Sequence, residues 1–173
     1  MLFGLLPSQH GMGRYDIHPY QSKPIPAEIS SLAELLKRES FYCSAKVPYN
    51  AFSSDFGLSK GFDTYYCTER PEMNNATDAS WVIKALDSSK NHNSFVYSHI
   101  QRLHPPFLST DDRQSPQLHN IADLSNASDG SYLPLYSAQM GAVDFQLSQI
   151  IGYLKESNQY ENSMIVILGD HSV

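Results

Sequence analysis

An α/β fold, with a largely parallel sheet flanked by helices, is the architecture this sequence predicts. Three observations carry that prediction. Segments with apolar residues three and four apart alternate with short β-prone runs, in the order helix, strand, strand, helix, strand, helix, strand. The run at 164–168, Met-Ile-Val-Ile-Leu, is apolar without interruption, as in a strand covered on both faces of a parallel sheet. No internal repeat or domain-scale linker divides the chain, so residues 1–173 read as one domain with a real core.

Taken in order, residues 1–6 are apolar and stop at Pro7, like the last turns of a helix. Residues 7–26 hold four prolines, two glycines and two histidines, His10 and His18, and read as a loop over a scaffold. Ser31 followed by Glu34 is a capping-box pattern, and Leu32, Leu35 and Leu36 keep helical spacing, so a helix is predicted over 31–39. Residues 41–47 alternate as a strand that Pro48 ends. A Ser-, Asp- and Gly-rich loop over 49–61 leads into a β-prone aromatic strand over 62–67.

A second helix is predicted over 75–89, with Trp81, Val82, Ala85 and Leu86 on one face. The next strand covers 94–100, and a long polar loop follows over 102–130. The longest helix spans 132–156, where Tyr136, Met140, Val143, Leu147, Ile150, Ile151 and Leu154 make one stripe with Asp144 beside it. The final strand, 164–168, ends at Gly169.

A hydrophobic content of 41% with 17% charged residues describes a globular chain. The net charge of -6 argues against a nucleic-acid backbone or an anionic membrane surface as partner. An anionic substrate would need local help from a cation against that background. No window approaches the ~20 apolar residues of a membrane-spanning helix. The two cysteines, Cys43 and Cys67, are too few for a disulfide framework and lack zinc-site spacing, so they read as core or half-buried thiols.

Two places carry chemistry. Asp170 and His171 follow the final strand at once, where open α/β sheets place their ligands, and a carboxylate beside an imidazole can hold a divalent metal. His99 closes the preceding strand, and His104 stands before Pro105-Pro106, which hold it away from helical geometry. A histidine on such a loop can donate to a substrate oxygen or act as general acid. Blander roles fit the same residues: a capping Asp beside a surface His, or a His packed on a proline pair.

The segment FVYSHIQRLHPPF resembles the strand-and-loop segment of the sulfatase family. Five further segments resemble that family in the same order: LFGLLPSQHGM, SLAELLKRESFYCSA, DFGLSKGFDTYY, YSAQMGAVDFQLSQIIGYL and MIVILGDHSV. The resemblance covers nearly the whole chain. It implies a partial catalytic domain of the sulfatase and alkaline phosphatase superfamily fold, a sulfuric ester hydrolase using a formylglycine beside a calcium ion. Carried to this sequence, it makes Asp170 and His171 the late metal-ligand pair. His104 becomes the catalytic histidine that meets the sulfate or the leaving oxygen. His99 and His10 become substrate-side or pocket-lining positions. The expected substrate is a sulfated small molecule or glycan.

The same resemblance places the nucleophile and the first metal-ligand strand before Met1, and further family segments after Val173. The isolated chain is therefore expected to turn over nothing. Phe3 stands where the family usually has Thr, Ser172 where it has Gly, and no Lys-Trp-His segment follows Cys43; Lys46 is not assigned that role. Two other readings stay open: a phosphodiesterase or phosphatase of the same superfamily, and a non-catalytic truncated binding protein.

Overall fold

The computed structural model describes residues 2–11, 23–48, 52–68, 78–100, 103 and 133–169. The chain divides into two compact units, one of Met1–Met73 with Lys84–His99 and one of Asn74–Ile83 with Ile100–Val173. The first holds α1 (Pro7–His10), α2 (Leu32–Arg38), β1 (Tyr42–Val47), a 3-10 turn (Ser54–Phe56), β2 (Thr64–Cys67) and β3 (Ser94–Ser98). Helix α3 (Asp78–Ser88) runs across the division. The second holds α4 (Leu133–Glu156) and a 3-10 turn at Tyr160–Asn162.

The predicted class is what the structure has. The sheet of the first unit has the order β2-β1-β3, and both pairings are parallel. Helix α2 starts where the sequence says: Ser31 Oγ accepts from the Glu34 amide at 3.0 Å, and Glu34 Oε2 accepts from the Ser31 amide at 2.9 Å. Three more bonds fix its position. Ser31 Oγ donates to the Lys60 carbonyl at 2.7 Å, and Lys60 Nζ donates to the carbonyls of Ala27 (2.9 Å) and Ile29 (2.6 Å).

Two of the three leucines of α2 lie off its core face, and Leu36 is half-buried. Leu32 and Leu35 are exposed and Ala33 is buried. The reason is close approach: a Cβ on Gly61 would lie 2.6 Å from the Ala33 carbonyl carbon, so only a small side chain fits between helix and loop. Gly61 itself is left-handed, with φ +83, a conformation L side chains rarely adopt.

Strand β1 alternates sides. Cys43, Ala45 and Val47 are buried, and Cys43 Sγ lies 3.6 Å from the Ala33 carbonyl, so α2 covers this face. Phe62 stacks on Phe95 (ring centroids 5.9 Å) and tilts against Tyr65 (5.7 Å). Burial raises the Cys43 thiol above its ordinary value, as expected for a packed, unreactive cysteine. The opposite face is polar: Ser44 pairs in register with Thr64 and Val96, and Lys46 with Tyr66 and Ser98. A parallel sheet is usually apolar on both sides; here one side carries hydroxyls and an ammonium beside Val96.

The other elements match the predicted ones to within a few residues, with α3 keeping Ala79 and Val82 buried. Residues 75–77 of that predicted helix and the loop over 104–130 lie outside the described residues. Two expectations on the second unit are corrected. Of the predicted α4 stripe, Leu154 is buried and Tyr136, Val143, Leu147, Ile150 and Ile151 are half-buried, but Met140 and the neighbouring Asp144 are exposed, and the buried Gln139 and Gln146 join the covered face. At 100° per residue, Asp144 lies roughly opposite Gln146, so it cannot share the covered face. The predicted final strand is not a strand. Residues 163–169 continue past the Tyr160–Asn162 turn with no ladder partner among the described residues, and Met164 is 91% exposed. An apolar run becomes a buried strand only where neighbouring strands take up its backbone groups.

Candidate functional site

The carboxyl ends of parallel strands are where such sheets bind ligands, and the sequence puts polar groups there. His99 directly follows β3. Its amide donates to the Lys46 carbonyl at 3.0 Å, which extends the β1–β3 pairing by one step and fixes the backbone that carries the imidazole. The ring lies on the apolar face, tilted at 58° against Phe52 with centroids 4.8 Å apart. Tyr97 Oη stands 3.5 Å from Nδ1, the outer limit of a hydrogen bond. Phe52 is held in turn by Tyr65, whose hydroxyl donates to the Phe52 carbonyl at 2.6 Å. Burial pushes the Tyr65 phenol well up, so it stays a neutral donor. His99 is thus a positioned, half-buried imidazole, with an aromatic wall on one side.

His10 is the last residue of α1, half-buried, with its amide donating to the Leu6 carbonyl at 3.1 Å. Gly11 follows with φ +70, which releases the chain from that short turn. His104, Asp170 and His171 lie outside the described residues.

Lys46, which sequence reasoning left unassigned, is the other polar group at this end. It is 8% exposed, in the middle of the sheet, with Nζ 6.0 Å from the Tyr66 ring centroid. It makes other contacts as well. The signal for it was available: a lysine inside a predicted strand, on the face that carries Ser44.

Among the described residues, no three His, Cys, Asp or Glu side chains gather as metal ligands. A hard cation takes oxygen donors first, so within the Asp170–His171 pair the carboxylate is the better fit to calcium.

A small parallel sheet with flanking helices defines an α/β domain. The family model for sulfatases matches residues 1–172, and the chain belongs to that family. No curated protein matches it significantly. Among solved structures, it resembles the lipoteichoic acid synthase LtaP from Listeria monocytogenes at TM-score 0.54 and 19% identity, over 76% of this chain and 34% of that one. It also resembles Ps i-CgsB at TM-score 0.64 and 17% identity, over 93% of this chain and 44% of that one. A second structure of Ps i-CgsB, in complex with k-i-k-neocarrahexaose, matches at TM-score 0.64 and 16% identity, with the same coverage. The chain therefore spans less than half the length of the structures it resembles. At these identities the likeness is one of fold. No helix among the described residues is long and apolar enough to cross a membrane.

Proposed function

We propose that this chain is part of a sulfuric ester hydrolase acting on a sulfated glycan or small molecule. The observation that carries the reading is the sulfatase family match over residues 1–172. In this reading His104 donates a proton or hydrogen bond to the leaving oxygen, the group that gains charge as the ester breaks. His99, held by Lys46 and Phe52, lines the substrate side, and His10 lines the pocket. Asp170 and His171 would hold a divalent cation, calcium by the chemistry of the carboxylate. When bound, that cation would stabilise negative charge on the sulfuryl oxygens. The nucleophile of the family chemistry, a formylglycine, is assigned to no residue of this chain.

A second reading, phosphoryl transfer within the same superfamily, is favoured by one observation: a structure with this fold is named a lipoteichoic acid synthase. Binding separates the two. A sulfated oligosaccharide should bind the chain in calcium more tightly than its desulfated form, and His104→Ala should weaken that binding about tenfold. Calcium titration should saturate, and Asp170→Asn should abolish it. Equal binding of the two oligosaccharides, or preference for a phosphorylated analogue, overturns the sulfate-ester reading. The 173-residue chain by itself is expected to release no product from an aryl sulfate; metal-dependent turnover there would overturn that expectation.

A further inference from the structure

We propose that Tyr65 is a positioning residue for His99: acting through Phe52, and together with Tyr97, it holds the imidazole in one ring orientation and one tautomer. That His99 then faces substrate rests on the function proposed above; the positioning itself does not.

The strand register brings the parts together. Tyr65 on β2 and Tyr97 on β3 are both partners of Ala45 on the central strand, so the two rings leave the same face on either side of a small, buried residue. His99 comes two residues after Tyr97 and continues that face. Burial first, then the nearby Cys67 thiol and Tyr97 phenol, push the Tyr65 phenol well up, so its proton stays available as a donor.

From there the contacts close on the imidazole. Tyr65 Oη donates to the Phe52 carbonyl at 2.6 Å, a bond that ties a loop residue to the sheet. The Phe52 ring meets the imidazole with centroids 4.8 Å apart and planes tilted by 58°, which restricts rotation of the ring. Tyr97 Oη stands 3.5 Å from Nδ1. A bond that long orients a ring weakly, so the Phe52 wall, and with it the Tyr65 hydroxyl behind it, has the larger share. A phenol is a stronger acid than a neutral imidazole, so the hydroxyl donates and Nδ1 accepts. The ring proton then sits on Nε2. Whatever that nitrogen meets, it meets as a donor, a state suited to an oxygen acceptor and not to a metal ion.

The test is long-range proton–nitrogen NMR of the imidazoles in the full chain, in alkaline buffer where histidine is neutral. The His99 signals are assigned by their loss in His99→Gln. The parent should show a single His99 tautomer with the proton on Nε2. Tyr65→Phe, which keeps the ring and removes only the hydroxyl, should move the two nitrogen shifts toward the average of both tautomers, and Tyr97→Phe should do the same. Tyr160→Phe, at a ring that lies under Lys155, should leave them unchanged. Should Tyr65→Phe not fold, Phe52→Leu removes the aromatic wall and keeps the carbonyl, and the same movement is expected. A parent proton on Nδ1, averaged tautomers in the parent, or His99 shifts identical in the parent and in Tyr65→Phe overturn the positioning and leave the proposed function untouched. With the positioning upheld, Tyr65→Phe should also weaken binding of a sulfated oligosaccharide about threefold. Moved His99 signals with unchanged binding keep the positioning and overturn the place of His99 on the substrate side.

Discussion

Gly61 and Asp63 show how single residues join α2 to the sheet. A Cβ at Gly61 would meet the backbone of Ala33 and Glu34, which cannot move without shifting the helix, and φ +83 disfavours any L side chain. Gly61→Ala should therefore cost about 2 kcal/mol or more, read as a lower urea midpoint at unchanged slope. Asp63 Oδ2 accepts from the Cys43 amide at 2.9 Å, and Oδ1 meets Lys37 Nζ at 2.6 Å. Desolvation is the largest influence on this carboxyl and raises it. The bonds from Cys43 and Lys37 together outweigh that, and the net shift is below the usual 3.8. A carboxyl lowered by folding stabilises the fold fully above its unfolded value and loses that contribution as pH falls through the folded one. Stability should decline below about pH 4, and Asp63→Asn should flatten that decline in melting curves at pH 2–5. The Ser31–Glu34 box could be read from sequence because it is local. The role of Gly61 could not, since it depends on what the fold brings against it.

At the scale of elements, the three strands of the sheet and all the longer helices were legible, because their periodicity survives without tertiary information. The segment 164–168 was not. An unbroken apolar run says that a strand is possible, and pairing partners decide whether it forms. With residues 165–168 between 43% and 67% exposed and Met164 at 91%, its amides should exchange with solvent nearly as fast as in an unfolded peptide. Those of Cys43 and Ala45 should be protected by a factor of about a thousand or more. Slow exchange at Val166 and Ile167 would show that this segment pairs in solution. The stripe on α4 was legible apart from Met140: Leu154 is buried and Tyr136, Val143, Leu147, Ile150 and Ile151 are half-buried, but hydropathy reads glutamine as outward and so missed the buried Gln139 and Gln146.

For the molecule as a whole, family membership was the most legible property, since six short segments in one order are compared without any need for the fold. The site was the least legible. Of the five residues singled out for chemistry, His10 and His99 lie among the described residues, and only His99 sits at the sheet's carboxyl end. The exposed apolar run at 164–168 has a consequence at this scale too. It is β-prone, uncharged and free of proline, the composition that favours strand pairing between chains. The chain should associate increasingly with concentration in sedimentation velocity, and Ile167→Lys should shift the distribution toward monomer. An unchanged distribution would assign the association to another surface.

The strand order β2-β1-β3 bears on synthesis. Strands β1 and β2 leave the ribosome close together, but the second edge of β1 stays open until Ser98 has emerged. Through that interval the nascent chain displays an unpaired backbone ladder over 42–47, and translation speed between codons 68 and 94 sets how long it stays open to capture by a neighbouring nascent chain.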